Sequence, residues 1–449
     1  MFQKVLIANR GEIARRIIRT CKRLGIYTVA VYSEADQHAL HVQEADSAYP
    51  IGGAKVSESY LNMEAIIRAA KQTNTDAIHP GYGLLSENAA FAERCRCEGI
   101  AFIGPSAQVI QRMGNKIEAR KTMAQAGIPI VSGVSAPLHD AEEGVSQAQS
   151  LGYPIMLKAS SGGGGIGMQL VQNDEELYRA FEGNQKRAQS FFNDGTLYME
   201  KVIENARHIE IQVLFDSFGH GVHLFERDCS LQRRHQKIIE EAPAACLNES
   251  VRHQMGEMAV KAAKAIGYEN AGTIECLVDQ HQQFYFLEMN TRLQVEHPVT
   301  EEITGIDLVE EQLKIAAREP LSFNQEDIHQ IGHAIEVRIY AEDPVTFYPS
   351  PGTITRLSTP EAPYIRHESS VTNGSLITPF YDPMIAKMIV YGDTRKLAIE
   401  RLKGALQAYE IEGIKTNLPL LREMAGSSAF LQGSITTDFL MKKREGNRS

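Results

Sequence analysis

Cysteine is scarce and scattered. Six of the 449 residues are cysteine, and only Cys95 and Cys97 lie close, at a spacing that is neither a zinc knuckle nor a redox C-x-x-C. That excludes a disulfide framework and points to reduced thiols in a cytosol-like compartment. Basic charge is also short. The 46 Lys and Arg stand against 56 Asp and Glu, a net charge of −10, which argues against a nucleic-acid polyanion as the main partner. A local cluster of Lys and Arg can still hold the phosphates of a small anionic substrate. No apolar run approaches the length of a membrane span. The stretch at residues 5–8 is too short for a signal peptide, and Arg10 follows at once. A cytoplasmic chain without membrane association is expected. Internal repeats and low-complexity tracts are absent. So are two common nucleotide signatures. The first strand-to-helix turn reads Asn9-Arg10-Gly11-Glu12, not G-x-G-x-x-G, and no glycine loop ends in G-K-[ST].

What is present divides the length into about three domains. A buried strand at 4–8, a helical stripe through Ile13, Ile17, Ile18 and Leu24, and a second strand at 27–32 make a βαβ opening, hence a parallel sheet. Strands at 77–79 and 101–103 continue it, so a parallel α/β domain is expected over residues 1–113. A central domain follows over 114–330, with a sheet-rich module at about 130–203, and then an α+β domain over 331–449.

Lys158-Ala159-Ser160-Ser161 runs into Gly162, Gly163, Gly164, Gly165, Ile166 and Gly167, between strands at 154–159 and 168–171. Such a loop lets the backbone approach a ligand and aim N–H groups at phosphate oxygens. A plain flexible linker is the ordinary alternative; a movable flap over a nucleotide suits a glycine hairpin between two apolar strands better.

Residues 273–279 and 284–288 read as two strands around a short polar turn. Pairing Asp279 with Phe284 places Glu275 opposite Glu288. Directly opposed side chains sit about 5 Å apart, so the two carboxylates repel unless a cation lies between them. Oxygen ligands favour Mg²⁺ or Mn²⁺, with phosphate filling the remaining positions. Two solvated carboxylates on an open sheet face would look the same. The next residues favour the site. In an extended run Glu288, Asn290, Arg292, Gln294 and Glu296 share one face, with Met289, Leu293 and Val295 behind. Asn290 is a further candidate metal ligand. An arginine fork and an amide can hold a small planar oxyanion such as bicarbonate, and a neighbouring carboxylate can remove its proton.

Residues 288–301 (Glu-Met-Asn-Thr-Arg-Leu-Gln-Val-Glu-His-Pro-Val-Thr-Glu) closely resemble the corresponding segment of biotin carboxylases. The segments beginning at Ala8, His79, Arg207 and Glu226 resemble them too, in the right order along essentially the whole chain. The resemblance implies an ATP-grasp fold, with an N-terminal parallel α/β domain, a central domain with a mobile lid over MgATP, and a C-terminal α+β domain. It implies ATP contacts from Lys116, Lys158, the loop Gly163–Gly164–Gly165, Glu200, Lys201, the Ile203 backbone, His208, Gln232, His235, Glu275 and Glu288. Glu275 and Glu288 match the metal ligands, with two Mg²⁺ or Mn²⁺ expected per site. Lys237, Arg292, Gln294, the Val295 backbone and Glu296 match a bicarbonate site, with Glu296 as base. Tyr82 and Arg338 match the biotin side. Arg338 lies in an alternating strand that buries Ile335, Val337 and Ile339 and sends Glu336 and Arg338 to the other face, where a surface Arg–Glu pair is the ordinary alternative. The biotin is expected on a separate carrier protein, since the nearest approach to the A-M-K-M attachment motif is Ile385-Ala386-Lys387-Met388. Carboxyltransferase subunits and a second copy of this chain are the other expected partners.

Two departures stand out. Ile166 replaces an arginine common in relatives, and Thr372 to Pro379 is unlike the bacterial fatty-acid-synthesis enzymes, which leaves the complex it serves open. Another ATP-grasp carboxylate ligase is the main alternative, separated by Tyr82, Arg338 and bicarbonate-dependent ATP hydrolysis. A non-enzymatic ATP-binding scaffold is the second, and the full set of base, acid and cation ligands weighs against it.

Overall fold

The computed structural model describes residues 1–161 and 167–446. Gly163, Gly164, Gly165 and Ile166 lie outside the described residues. Near the N-terminus, β1 (Lys4–Ile7), β2 (Tyr27–Ser33), β3 (Ser47–Gly52), β4 (Ala77–His79) and β5 (Ala101–Phe102) form a parallel sheet in the order β3-β2-β1-β4-β5. The helix Gly11–Arg23 joins β1 to β2 and buries Ile13, Ile17, Ile18 and Cys21 against it. Glu12 in its first turn and Lys22 and Arg23 in its last complement the helix dipole. Strand β3 is not legible as a strand, because it is an edge strand with only Ile51 fully buried.

Strand order reverses between β1 and β4, the position where a doubly wound sheet opens a crevice at its carboxyl ends. The Asn9 amide closes that crevice's floor, donating to the Pro80 carbonyl at 2.7 Å and the Tyr82 carbonyl at 2.8 Å. Just before it, His79 is wholly buried and its Nδ1 accepts the Gly81 N–H at 3.0 Å. Burial, reinforced by Arg16, pushes this imidazole down to about 3. His41, in the short helix Leu40–Glu44, is pushed down to about 4, chiefly by burial. Both titrate lower in the folded than in the unfolded chain. Their contribution to stability is therefore complete above pH 6.5 and is lost as pH falls below it. The expected loss is about 1.4 kcal/mol per pH unit for each histidine between pH 6.5 and about 4. Urea unfolding at pH 7.5, 6.5 and 5.5 measures it; a flat stability across that range would mean that neither imidazole is held neutral.

The module expected at about 130–203 is a four-stranded antiparallel sheet. Strands β6 (Gly133–Leu138), β7 (Ile155–Ala159), β8 (Met168–Val171) and β9 (Leu197–Lys201) lie in the order β6-β9-β7-β8. It has its own core around Leu157, Phe181, Leu197 and Met199. Strands β7 and β8 do form a hairpin around the glycine loop, with Lys158 opposite Met168.

The remainder is organised by one eight-stranded antiparallel sheet. Its members are β10 (Arg207–Phe215), β11 (Gly221–Arg233), β12 (Gln236–Ala242), β13 (Asn270–Val278), β14 (Phe284–Asn290) and β15 (His333–Tyr340), then two strands of the C-terminal part. That part contains β16 (Gly352–Thr353), β17 (Arg356–Ser358), β18 (Ile365–Ser369), β19 (Leu376–Ile377), β20 (Met384–Gly392) and β21 (Glu410–Glu412). The order is β14-β13-β10-β11-β12-β15-β20-β18. The sheet therefore runs unbroken past residue 330, through the pairing of β12 with β15, Ile239 with Val337 and Glu240 with Glu336. Alternation in β15 is as read, but its second face is not a surface. Glu336 is 0% and Arg338 9% exposed, because residues 291–296 and the N-terminal crevice close over that face. Among the described residues no helix is long and apolar enough to cross a membrane.

Candidate active site

Strands β13 and β14 bring Glu275 opposite Glu288, by a different route from the one expected. The turn pairs Val278 rather than Asp279 with Phe284, one residue out of the expected register. A bulge at Leu287 adds one residue to β14 and restores the pair. The repulsion is already offset by protein cations. Lys116 Nζ pairs with Glu288 Oε2. Glu275 accepts from Lys237 at 2.9 Å and from the Gln294 amide at 3.0 Å, and lies 3.2 Å from His208 Nε2.

Beyond Glu288 the extended run is shorter than expected. Strand β14 ends at Asn290, residues 291–296 are irregular, and the helix His297–Thr304 begins with Pro298 in its first turn. The polar residues nonetheless converge. Arg292 donates to Gln294 Oε1 at 2.8 Å and Asn290 Oδ1 at 2.9 Å, while Glu87 Oε2 holds its Nε at 2.8 Å. The Asn290 Nδ2 is buried without a partner among the described residues.

At the centre Lys237 and Arg338 grip Glu296 from two sides. Lys237 Nζ lies 2.6 Å from Glu296 Oε1, 2.6 Å from Glu210 and 2.9 Å from Glu275. Arg338 reaches Glu296 Oε2 at 2.9 Å and Glu240 at 2.5 Å, and makes no bond to Glu336. Glu296 is wholly buried. Burial and Glu210 push its carboxyl up, but Lys237, Arg338 and Arg227 outweigh them and hold it below its ordinary range. Glu210 and Glu275 are held well below theirs against burial, chiefly by Lys237. Burial lowers His208, yet Glu275 raises it further, to about 9. Lys237, Arg338, Arg227 and His208 thus stand against the carboxylates of Glu210, Glu275 and Glu296, with Glu240 as a further partner of Arg338. Glu240 is pushed up to about 7 by burial against the pull of Arg338.

Around this centre, Lys158 pairs with Glu200, whose other oxygen takes the buried Arg120 at 2.5 Å. Gln232 Nε2 lies 3.0 Å from His208 Nδ1. Ile203 is half-buried just past β9. Two residues stand apart from the cluster. Lys201 spends its ammonium on the Gly152 and Tyr153 carbonyls, at 2.7 and 2.9 Å, and His235 is exposed in the turn between β11 and β12. On the opposite side, the Tyr82 hydroxyl donates to Glu12 Oε1, and the Val295 carbonyl accepts from Lys387. Sequence reasoning missed Glu210, Arg227, Glu240, Glu12, Glu87 and Lys387. For Glu210 a signal existed: His208, Glu210 and Gln212 alternate with Ile209, Ile211 and Val213. The others become visible only once distant strands are placed side by side.

The chain was compared with known proteins. Residues 1–110 match the biotin carboxylase N-terminal domain, 115–324 the carbamoyl-phosphate synthase L chain ATP-binding domain, and 336–442 the biotin carboxylase C-terminal domain. Biotin carboxylase 2 of Bacillus subtilis is 67% identical over 98% of this chain and 99% of its own. The chain belongs to the biotin carboxylase family. Its activity is the ATP-dependent carboxylation of biotin. Solved structures of biotin carboxylases superpose closely. The Campylobacter jejuni enzyme in a β,γ-ATP complex gives a TM-score of 0.97 at 48% identity, covering 98% of this chain and 99% of that one. The biotin carboxylase domain dimer of Hydrogenobacter thermophilus 2-oxoglutarate carboxylase, with MgADP, ADP and bicarbonate, gives 0.97 at 49% identity, covering 99% and 98%.

Proposed function

We propose that the buried triad Lys237–Glu296–Arg338 performs both halves of the reaction: activation of bicarbonate with MgATP, then carboxylation of biotin presented by a separate carrier protein. The observation that carries this reading is Glu296, wholly buried with one oxygen on Lys237 and the other on Arg338. Bicarbonate is held by Lys237, Arg292, Gln294 and the Val295 backbone. Glu296 takes its proton, and the bicarbonate oxygen attacks the γ-phosphorus as ADP departs. Carboxyphosphate then breaks down to CO₂ and phosphate, and the phosphate accepts the proton of biotin N1. The enolate attacks CO₂ while Arg338 stabilises its oxygen, with Tyr82 lining the same end. Lys116, Lys158, Glu200, Lys201, Ile203, His208, Gln232 and His235 enclose the nucleotide, with the glycine loop as part of a closing lid.

The carboxylates suit a divalent ion. Glu275 and Glu288 oppose each other, each paired to an ammonium that phosphate can draw away, and Asn290 stands beside them. Mg²⁺ or Mn²⁺ bound there, two per site, would offset charge on the transferred phosphoryl group. Glu288→Gln should then retain the fold, lower turnover at least about tenfold and raise the Mg²⁺ concentration needed for half-maximal rate. Titration of activity with Mg²⁺ decides; unchanged dependence would remove the hairpin carboxylates from the metal site.

Lys387 is wholly buried and hydrogen-bonded, so it is closed to a biotin ligase. A biotin carrier protein, carboxyltransferase subunits and a second copy of the chain are the partners this reading requires. Phosphate release with and without bicarbonate and biotin, alongside ¹⁴C-bicarbonate incorporation, tests it. ATP hydrolysis indifferent to bicarbonate would overturn it.

A further inference from the structure

The scheme above gives no task to the ammonium of Lys387, although that group touches both of its halves. Lys387 stands in β20 directly opposite Arg338. Its Nζ donates to the Val295 carbonyl, lies 3.4 Å from Glu12 Oε1 and sits 5.9 Å from the centre of the Tyr82 ring. Glu12 Oε1 also accepts the Tyr82 hydroxyl. The other oxygen of Glu12 is buried without a partner among the described residues. The orientation of Glu12 therefore depends on Tyr82 and Lys387. These four groups come from three separate parts of the fold: the N-terminal crevice, the segment after β14, and a C-terminal strand.

A lysine with no exposure needs a counter-charge, and Glu12 is one. A counter-charge alone does not account for the Val295 contact. That carbonyl belongs to the peptide joining Val295 to Glu296, so the bond fixes the backbone from which the base projects. The second contact, through Glu12, fixes the ring at the biotin end. One ammonium thus sets the spacing between two substrate positions that belong to different domains.

We infer that Lys387 is a positioning residue that couples the bicarbonate segment to the biotin side, holding the Val295–Glu296 backbone with one contact and Tyr82, through Glu12, with the other. This rests on assigning Gln294 to Glu296 to bicarbonate and Tyr82 to biotin. A charge-assisted hydrogen bond of this kind is worth about tenfold or more in binding when lost.

The test measures KM for ATP, bicarbonate and free biotin on the full chain, with the melting temperature of each variant. Lys387→Met should raise the KM for bicarbonate and for biotin about tenfold each and leave that for ATP within about twofold. Its unpaired Glu12 will also lower the melting temperature. Adding Glu12→Gln removes the buried charge and should restore the melting temperature, while the bicarbonate KM stays raised because the Val295 contact is still missing. If the double variant returns both constants to normal, Lys387 is only the counter-ion of Glu12 and the inference is wrong. An equal rise for ATP would overturn it as well, since that marks general damage. Gln294→Ala serves as the control for the site assignment. If it leaves the bicarbonate KM unchanged, the assignment and the inference fall together; if it raises that constant while Lys387→Met does not, the inference alone falls.

Discussion

Replacing Glu296 with alanine should abolish bicarbonate-dependent ATP hydrolysis and carboxybiotin formation together, each by about 10²–10⁴-fold. Arg338→Ala should separate them. Glu296 is the proposed base for bicarbonate, so without it no phosphoryl transfer begins. Arg338 meets biotin later, and a contact made to the developing enolate is felt in kcat more than in ATP binding. Carboxybiotin formation should fall by about 10²–10³-fold, while biotin-independent phosphate release persists. The structure adds a second signature. Arg338 is one of the cations that hold Glu296 below its ordinary range, and it bonds Glu296 Oε2 at 2.9 Å. Its loss must raise the Glu296 pKa, so the acid limb of the residual ATP hydrolysis should move to higher pH. Both activities are measured for each variant across pH. Equal loss of both in Arg338→Ala would show that Arg338 also builds the bicarbonate site and that the two halves are not divided between these residues.

Lys237→Met should be the most damaging single change to both stability and turnover. The ammonium lies within 2.9 Å of Glu210, Glu275 and Glu296, all of which are buried. Removing one partner of a buried ion pair costs about 3–5 kcal/mol, and here three carboxylates lose the same cation. Arg227 at 2.5 Å from Glu210, His208 and Arg338 remain, so the cluster is weakened rather than left bare. In the native enzyme Glu210 and Glu275 titrate below their unfolded values, against burial and mainly through Lys237. Their stabilisation is present above the ordinary carboxylate range and is lost as pH falls through the depressed folded values. In Lys237→Met that gain is reduced, and protonation at mildly acid pH relieves the crowded charge. The melting-temperature gap between native enzyme and variant should therefore be widest at pH 8 and narrow towards pH 5. A gap of constant size would mean that Lys237 does not hold these carboxylates ionised. Carboxylation should fall to background at every pH.

Much of the site was legible because its residues sit in runs with a simple period. The alternation from Glu288 to Glu296 singled out a base, an arginine and an amide, although the strand ends at Asn290 and the irregular residues 291–296, not a shared strand face, bring them together. The glycine hairpin after Lys158 lies between the strands read for it. The pairing of Glu275 with Glu288 was reached from a turn register one residue out, corrected in the structure by the bulge at Leu287. A bulge leaves no mark in a pattern of period two except a change of phase, and β14 is too short beyond it for the change to be read. The face of β15 that carries Arg338 could not be judged from alternation, since a strand covered on both sides and one open to water alternate alike when the second face is lined by charges.

The sequence by itself determined the parallel N-terminal sheet, the glycine hairpin and the family, because these depend on local periodicity or on contiguous motifs, whereas the opposition of Glu275 and Glu288 also needed the bulge at Leu287. The tertiary structure alone decided how the charges are shared. Lys237 is claimed by Glu210, Glu275 and Glu296 from three different segments, Arg338 turns to Glu240 and Glu296 instead of its strand neighbour Glu336, and Lys387 reaches back to Glu12. The physical reason is that a buried charge must find its partner across space. Which partner lies within reach is fixed by the order of strands in the eight-stranded sheet and by the crevice packed against it, neither of which any stretch of sequence contains.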